Sequence, residues 1–266
     1  VTGQPLDPPA IPDEPTPLTE EETQAIQDAE AELVFPDPSY AEEEGILAIG
    51  GDLSVDRLIL AYANGIFPWP RKNAPLLWWS PDPRLILYPE ALHVSRSLRR
   101  LLRRDAFAIR LDKAFGQVIR GCAGKRGPDH PGTWIVPEMI AAYERLHAAG
   151  LAHSVEAWDG ETLAGGLYGV SLGDCFFGES MFTRVSNASK VAFVHLVQGL
   201  HQAGFKLIDC QVTTAHLMQF GAREVPRIRF LRDLQQALKQ TTRQGMWRFT
   251  PGGGIGTAPE STGQDG

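Results

Sequence analysis

Two polar side chains interrupt an otherwise apolar strand at Lys206-Leu207-Ile208-Asp209-Cys210-Gln211-Val212. Side chains alternate across a strand, so Leu207, Asp209 and Gln211 share one face and Ile208, Cys210 and Val212 the other. A carboxylate two positions from a carboxamide is costly to bury unless the pair bonds something. Either the pair serves structure, for example by holding a helix N-terminus, or it is a reactive pair in a cleft. A second carboxylate, Glu179, ends the apolar run Cys175-Phe176-Phe177-Gly178-Glu179-Ser180-Met181-Phe182. Alternation groups it with Phe177 and Met181, and Phe176 with Phe182. It either anchors a loop or offers a negative charge to a cation.

A third candidate is basic. Arg96, Arg99, Arg100, Arg103 and Arg104 follow Ser95 at i, i+3, i+4, i+7 and i+8, one face of a helix, with Leu98, Leu101 and Leu102 opposite. Solvated faces normally mix signs, and here only Asp105 is near. A one-sided arginine face reads as a contact for a polyanion, because arginine is the preferred reader of phosphate. The short apolar face makes a membrane surface the weaker competitor. Trp69, Trp78, Trp79 and Trp134 lie in loops or at element edges. Trp78 and Trp79 read as packing between domains, whereas loop tryptophans beside a basic helix suit stacking on bases, at about 1–3 kcal/mol each. The stretch Thr183-Arg184-Val185-Ser186-Asn187-Ala188-Ser189-Lys190 has no glycine. It therefore lacks the glycine-rich loop that would cradle the pyrophosphate of coenzyme A.

Around these residues the chain divides by composition. Residues 1–34 form an acidic, proline-rich leader, disordered over 1–17, with a capping box at Thr19-Glu20-Glu21-Glu22 that opens a short helix to about Leu33. The tail 250–266, with Gly252, Gly253, Gly254 and Gly256, is expected to be flexible. Between them, 35–90 reads as a small N-terminal domain. Its helix at 55–64 is capped by Ser54 and stopped by Gly65; proline-stiffened aromatic loops follow at 65–70 and 76–84, then a strand at 85–88. Residues 91–249 read as the main domain. After the arginine helix come a strand at 107–111, a helix at 113–122, a mobile loop at 124–132 and a helix from Pro137 to Gly150. Strands at 152–158, 161–170 and 174–179 form a meander. A long helix at 188–203, strand 206–212, helix 214–220, strand 222–226 and helix 229–240 complete the domain. This order predicts an α/β (α+β) fold, a mixed sheet flanked by helices, and by analogy it is GNAT-like.

Composition sets limits. With 43% hydrophobic and 21% charged residues, the 266-residue chain has the makeup of a globular protein with a real core. No apolar run approaches the ~18 residues of a membrane span, and the start lacks a secretory pattern. The three cysteines are scattered and read as reduced thiols of a cytoplasmic protein; neither they nor the seven histidines show metal-ligand spacing. No metal and no cofactor is expected. The net charge of −7 hides an asymmetry: all 25 Lys and Arg lie beyond residue 50, together with only 19 of the 32 acids. The body is basic, as a polyanion partner would require.

Several motifs in one order resemble the leucyl/phenylalanyl-tRNA–protein transferase family: Gly45-Ile46-Leu47-Ala48-Ile49-Gly50-Gly51-Asp52-Leu53-Ser54, the segments 65–69 and 78–84, Leu92-His93-Val94-Ser95-Arg96-Ser97, Ala114-Phe115-Gly116-Gln117-Val118-Ile119, Gly132-Thr133-Trp134-Ile135, and the segments 177–182 and 207–212. The match runs from about Phe35 to Leu238. The resemblance implies an enzyme of the N-degron pathway that moves Leu or Phe from aminoacyl-tRNA to proteins with N-terminal Arg or Lys; an apolar pocket with no polar anchor is expected to accept Met as well. It implies that Trp69, Trp134, Tyr62 and Tyr143 hold the aminoacyl-adenosine, and that Leu167, Phe176, Met181, Leu196 and Ile208 line the amino-acid pocket. It further implies that Arg96, Arg100 and Arg103 of the arginine face contact the acceptor stem, that Glu179 helps bind the acceptor protein, and that Asp209 and Gln211 are the catalytic pair; because an amide has almost no basicity at pH 7, Asp209 is expected to orient Gln211. A monomer without membrane contact is expected. Two other classes compete: a coenzyme A or cell-wall-bridge acyltransferase, opposed by the missing glycine loop and the motif set, and a non-catalytic RNA-binding module, which leaves Asp209 and Gln211 unexplained.

Overall fold

The computed structural model describes residues 33–70, 75–124 and 133–257. The expected disorder of 1–17, the capped helix at 19–33, most of the loop at 124–132 and the far end of the tail lie outside them.

Helix α1 (Val55–Ala63) starts where Ser54 Oγ accepts the Arg57 N–H, and it stops at Gly65, whose φ of 71° suits a residue without a side chain. The aromatic segments around it, expected to be loops, contain strands. β1 (Ile46–Ile49), β2 (Phe67–Pro68) and β3 (Leu77–Trp79) make a three-stranded sheet in the order β1-β3-β2. Both β2 and β3 are buried throughout, so they lack the polar–apolar alternation by which a strand is recognised. Trp78 and Trp79 are almost fully buried, packing as expected, and Trp78 Nε1 donates to the Gly50 carbonyl at 2.9 Å.

The main sheet has seven strands. In chain order these are β4 (Arg84–Leu87), β5 (Ala108–Leu111), β6 (Ala152–Asp159), β7 (Thr162–Leu172), β8 (Cys175–Thr183), β9 (Leu207–Gln211) and β10 (Arg223–Val225). Their spatial order is β10-β4-β9-β8-β7-β6-β5. Only the β8–β9 pair is parallel, which makes the sheet mixed, as expected. Because β4 lies between β9 and β10, a division after residue 90 is corrected: the main sheet begins at Arg84. Helix α2 (Arg96–Leu102) precedes β5, α3 (Phe115–Ala123) and α4 (Pro137–Ala148) precede β6, and α5 (Ala188–Gln202) makes the crossover that parallel neighbours need. The short α6 (Ala215–Met218) follows β9, and α7 (Arg227–Ala237) follows β10.

Each face of the sheet carries its own core. One holds Leu58 and Tyr62 of α1, Val118 of α3, Tyr143 of α4 and Phe230 of α7; the other holds Val191, Leu196 and Leu200 of α5 with Leu98 of α2. Cys122, Cys175 and Cys210 are all buried. No helix among the described residues is long and apolar enough to cross a membrane.

The tail corrects the expectation of flexibility from Thr250. β11 (Trp247–Phe249) pairs with β12 (Ile255–Thr257), and Trp247 and Ile255 are buried in the second core. The Trp247 N–H donates to Asp112 Oδ2, and the same carboxylate binds the Ser154 N–H and His153 Nδ1, whose ring stacks on Trp247 at 3.8 Å. Glycines dominate the composition here, but tertiary burial decides. Ile255→Ala should therefore cost about 2–5 kcal/mol, visible as a lower denaturant midpoint; an unchanged midpoint would show that the hairpin does not dock.

Buried Glu156 accepts the Lys113 and Ala114 N–H groups ahead of α3, and the Ser154 hydroxyl, all on Oε1. Oε2 has no hydrogen-bond partner among the described residues, and burial pushes the carboxyl up to about 7. Between pH 4.5 and 7 the folded chain thus holds a proton that the unfolded chain has released, so this group makes stability fall as pH rises through that window. Glu156→Gln should raise the melting temperature at pH 8 and leave it unchanged at pH 4; equal effects at both would contradict the assignment.

Candidate active site

β8 and β9 pair from Cys175↔Leu207 to Phe177↔Asp209 and then part. A cleft of about 200 Å³ opens at this divergence, at the carboxyl ends of the parallel pair, where open α/β sheets hold ligands. Leu167, Phe176, Met181, Leu196 and Ile208 line it, with Phe193 and Leu217 added; Trp69 and Trp134 stand at it, their rings 6.2 Å apart, and Glu179, Asp209 and Gln211 border it. The structure thus assembles the expected pocket residues, from four separate elements, around one cavity.

A bulge sets Glu179. Tyr168 pairs with Ser180 but Gly169 with Gly178, leaving Glu179 as the extra residue of β8. A Cβ on Gly169 would lie 2.2 Å from the Phe177 carbonyl oxygen, so the bulge depends on glycine opposite. The bulge also reverses the alternation after it. Met181 joins Phe176 on the α5 side, and Phe182 joins Cys175 and Phe177 on the other, the reverse of the expected grouping. Glu179 Oε1 accepts from the Tyr62 hydroxyl at 2.7 Å and from Gln211 Nε2 at 2.7 Å, and Oε2 accepts from the Tyr143 hydroxyl at 2.9 Å. The two phenol oxygens are also in hydrogen-bond contact with each other. Burial pushes Glu179 up to about 7. Tyr62 and Tyr143 are fully buried and reach the cleft only through Glu179, rather than lining it as an adenosine site would.

Asp209 is fully buried and held by Arg84, with Nε on Oδ1 at 2.8 Å and Nη2 on Oδ2 at 2.7 Å. The guanidinium lies 4.7 Å from the Phe67 ring centre and 4.5 Å from that of Phe230. Asp209 Oδ1 also accepts the Gln211 backbone N–H at 2.9 Å. Asp209 orients Gln211 through its main chain, and Glu179 takes the side-chain amide; Asp209 is also committed to Arg84, so it is no carboxylate for an arriving cation. Gln211 has φ +64°, a left-handed conformation that costs energy in a non-glycine residue and is held by these two bonds. Arg84 was a missed residue. The signal was an arginine opening the apolar strand Arg84-Leu85-Ile86-Leu87, which demands a buried carboxylate.

Ser95 caps α2 as expected, but the helix ends at Leu102, so Arg96, Arg99 and Arg100 lie on it while Arg103 and Arg104 lie in the turn beyond. All five are exposed, and Arg99 Nε binds the Val94 carbonyl. Arg100 and Arg104 flank a groove of about 240 Å³ with Asn187 and Lys190 of the α5 start and Gln219, and among the described residues no carboxylate lines it. Lys190 is a second residue the sequence reading missed. Segment 214–220 is the wall between groove and cleft: Thr214, His216 and Leu217 face the cleft, Gln219 and Phe220 the groove. Desolvation, and then Lys190, keeps the His216 imidazole below its ordinary range. Among the described residues no group of three or more His, Cys, Asp or Glu could hold a metal ion.

A mixed sheet whose parting strands expose an apolar cavity, with a carboxylate–carboxamide pair at its rim and a basic groove alongside, suits transfer from a nucleic-acid-linked donor. Residues 86–235 match the family model for leucyl/phenylalanyl-tRNA protein transferase, and residues 51–82 match the model for its N-terminal domain. The leucyl/phenylalanyl-tRNA–protein transferase of Anaeromyxobacter dehalogenans (strain 2CP-C) is 60% identical over 222 residues, 84% of this chain and 95% of that protein. That of Syntrophobacter fumaroxidans is 58% identical over 217 residues (81% and 92%), and that of Oleidesulfovibrio alaskensis 56% over 225 (83% and 91%). The chain belongs to the leucyl/phenylalanyl-tRNA–protein transferase family. A solved structure, L-PGS from Bacillus licheniformis, aligns at TM-score 0.35 and 10% identity over 72% of this chain and 63% of that one, too loosely to support the GNAT-like part of the expectation.

Breaking the Arg84–Asp209 pair from one side leaves a buried carboxylate uncompensated. Arg84→Met should destabilise the protein by about 3–5 kcal/mol in denaturant titration. A loss under about 1 kcal/mol would mean that Asp209 is compensated elsewhere.

Proposed function

We propose that the protein moves Leu or Phe, and with them Met, from aminoacyl-tRNA to the α-amino group of proteins beginning with Arg or Lys, marking them for N-degron proteolysis. Family membership supports the reaction class. The observation that carries the reading onto this chain is an apolar cavity ending on the Glu179–Gln211 pair, flanked by Trp69 and Trp134.

The chemistry follows from the parts. The donor's amino-acid side chain enters the cavity between Leu167, Phe176, Met181, Leu196 and Ile208. With no polar group to demand a partner in that wall, Leu, Phe and Met are separated only by shape, at about 1–3 kcal/mol per methylene. Trp69 and Trp134 offer aromatic faces to the terminal adenosine. The ester is already activated, so the enzyme mainly positions the amine against it. Gln211, its amide nitrogen turned to Glu179, leaves its carbonyl to accept a hydrogen bond from the attacking amine. The amine nitrogen bonds the ester carbonyl carbon, the bond to the ribose oxygen breaks, and that oxygen leaves with a proton. Glu179 is the carboxylate left to meet the acceptor's positive charge, since Asp209 is neutralised by Arg84. The arginines of α2 and its following turn, with Lys190, take phosphates of the acceptor stem, and the wall at 214–220 leads the 3′ end from groove to cavity. A cytoplasmic monomer without cofactor suffices for this chemistry.

Radiolabelled leucyl-tRNA mixed with an Arg-starting peptide should place label on the peptide, and an Asp-starting peptide should remain unlabelled. Label on neither would reject the reaction. Arg100→Ala and Lys190→Ala should each weaken leucyl-tRNA use and lower its log–log salt slope by about 0.7–0.9, while sparing an aminoacyl-adenosine donor. Equal damage with both donors would make these side chains structural.

A further inference from the structure

We propose that Glu179, Tyr62 and Tyr143 form a ring of oxygens that takes one proton from the acceptor's α-ammonium group, so that Glu179 is the base that frees the nucleophile. The inference rests on the transfer reaction proposed above and assigns its proton, which an amide such as Gln211 lacks the basicity to accept.

The argument is a count of protons. Three oxygen–oxygen contacts join these side chains: Tyr62 to Glu179 Oε1, Tyr143 to Glu179 Oε2, and Tyr62 to Tyr143. Each needs one proton, and two phenols bring two. If Glu179 is ionised and both phenols donate to it, the phenol oxygens face each other with no proton between them. If Glu179 is neutral, Oε2 donates to Tyr143, Tyr143 to Tyr62, and Tyr62 to Oε1, and every contact is filled. The Gln211 Nε2 bond to Oε1 is compatible with both states. A carboxylate offers about four lone-pair sites. In the ionised state Tyr62 and Gln211 occupy those of Oε1 and Tyr143 one of Oε2, so a single site, on Oε2, remains for an incoming proton, which then turns about the C–Oε2 bond to face Tyr143 as the Tyr143 hydroxyl turns to Tyr62.

The surroundings favour the exchange. Among the described residues, the titratable or charged groups facing Glu179 are Tyr62 from α1, Tyr143 from α4, Tyr168 from β7 and Asp209 from β9, the last neutralised by Arg84 from β4. None of them is a cation free to hold Glu179 ionised. Burial, then the Glu179 charge, pushes the Tyr62 and Tyr143 phenols well above their ordinary range, so they reorient protons without ionising. Glu179 itself sits near 7, within about one pH unit of an α-ammonium group at about 7.7–8.0. Donor and acceptor are therefore nearly matched. The ammonium N–H breaks as the Oε2–H forms, leaving a neutral amine and a neutral carboxylic acid. The amine then attacks the ester, its second proton leaves with the ribose oxygen, and Glu179 returns its proton to water. Tyr62 and Tyr143 act through Glu179 and are positioning residues.

The test is the direction of a titration. Carbon-13 carboxyl resonances are followed with pH in the free protein, and the Glu179 signal is identified by its loss in Glu179→Gln. The wild type should titrate near 7. Tyr143→Phe opens the ring and should lower that titration by about one pH unit; Tyr62→Phe should do the same, and it decides the matter if the first variant fails to fold. Were the phenols only donors to an anion, removing one would raise the titration instead, so a rise or no change overturns the ring. The acid limb of kcat/KM for an Arg-starting peptide should move down with the resonance in each variant, and a limb that stays fixed overturns the role as base. Because the titration needs no substrate, a wild type that transfers no leucine rejects the reaction and the base role, while the ring is judged by the resonance alone.

Discussion

A buried ion pair organises this molecule. Arg84 and Asp209 are both fully enclosed, bonded through two parallel contacts, and sandwiched with Phe67 and Phe230. Such pairs are no gift to stability, because two ions must leave water. What this one supplies is position. Its carboxylate holds the main chain of Gln211 in a left-handed conformation at the end of β9, and that conformation sends the amide to Glu179. Glu179 in turn is fixed by a bulge in β8 and by two tyrosines from helices on the same face of the sheet. The chain of bonds runs from strand β4, through β9 and β8, to α1 and α4. Remove its first member and each later one loses its reason to stand where it does.

The cavity is the second consequence of strand geometry. Parallel pairing of β8 with β9 ends after three residue pairs, and the side chains beyond the split face a space that neither strand fills. The bulge at Glu179 turns Met181 toward Phe176 and away from Phe177, so an apolar wall and a polar rim come from one strand. An unbulged β8 would carry Glu179 and Met181 on one face, and the cleft would lose either its acid or part of its apolar lining.

The succession of helices and strands along the main domain was legible because its helices and meander carry ordinary caps, turns and alternation, from Pro137 onward above all. Asp209 and Gln211 were legible because polar side chains in an apolar strand violate burial rules. Their partner was not. Arg84 lies 125 residues away, in a motif whose prolines and tryptophans drew attention instead. The bulge was invisible because its flanking residues are apolar in both registers, so no pattern marks the shift. β2 and β3 escaped notice for a similar reason, being buried on every side. The C-terminal hairpin was hidden by its glycines, since what orders it is Asp112 gripping the Trp247 N–H from far along the chain. Arg103 and Arg104 continued a helical period that the backbone abandons at Leu102.

The central claim is that the Arg84–Asp209 pair exists to position Gln211 rather than to stabilise the fold, and the double variant Arg84→Met, Asp209→Leu tests it most directly. Replacing a buried ion pair by apolar residues of similar size is often neutral or stabilising. The variant should therefore keep a denaturant midpoint near that of the wild type, yet transfer leucine to an Arg-starting peptide at least about tenfold more slowly, a barrier increase of roughly 1.4 kcal/mol. A variant equally stable and transferring within about twofold of the wild type would contradict the account, because Gln211 would then hold its place without the carboxylate.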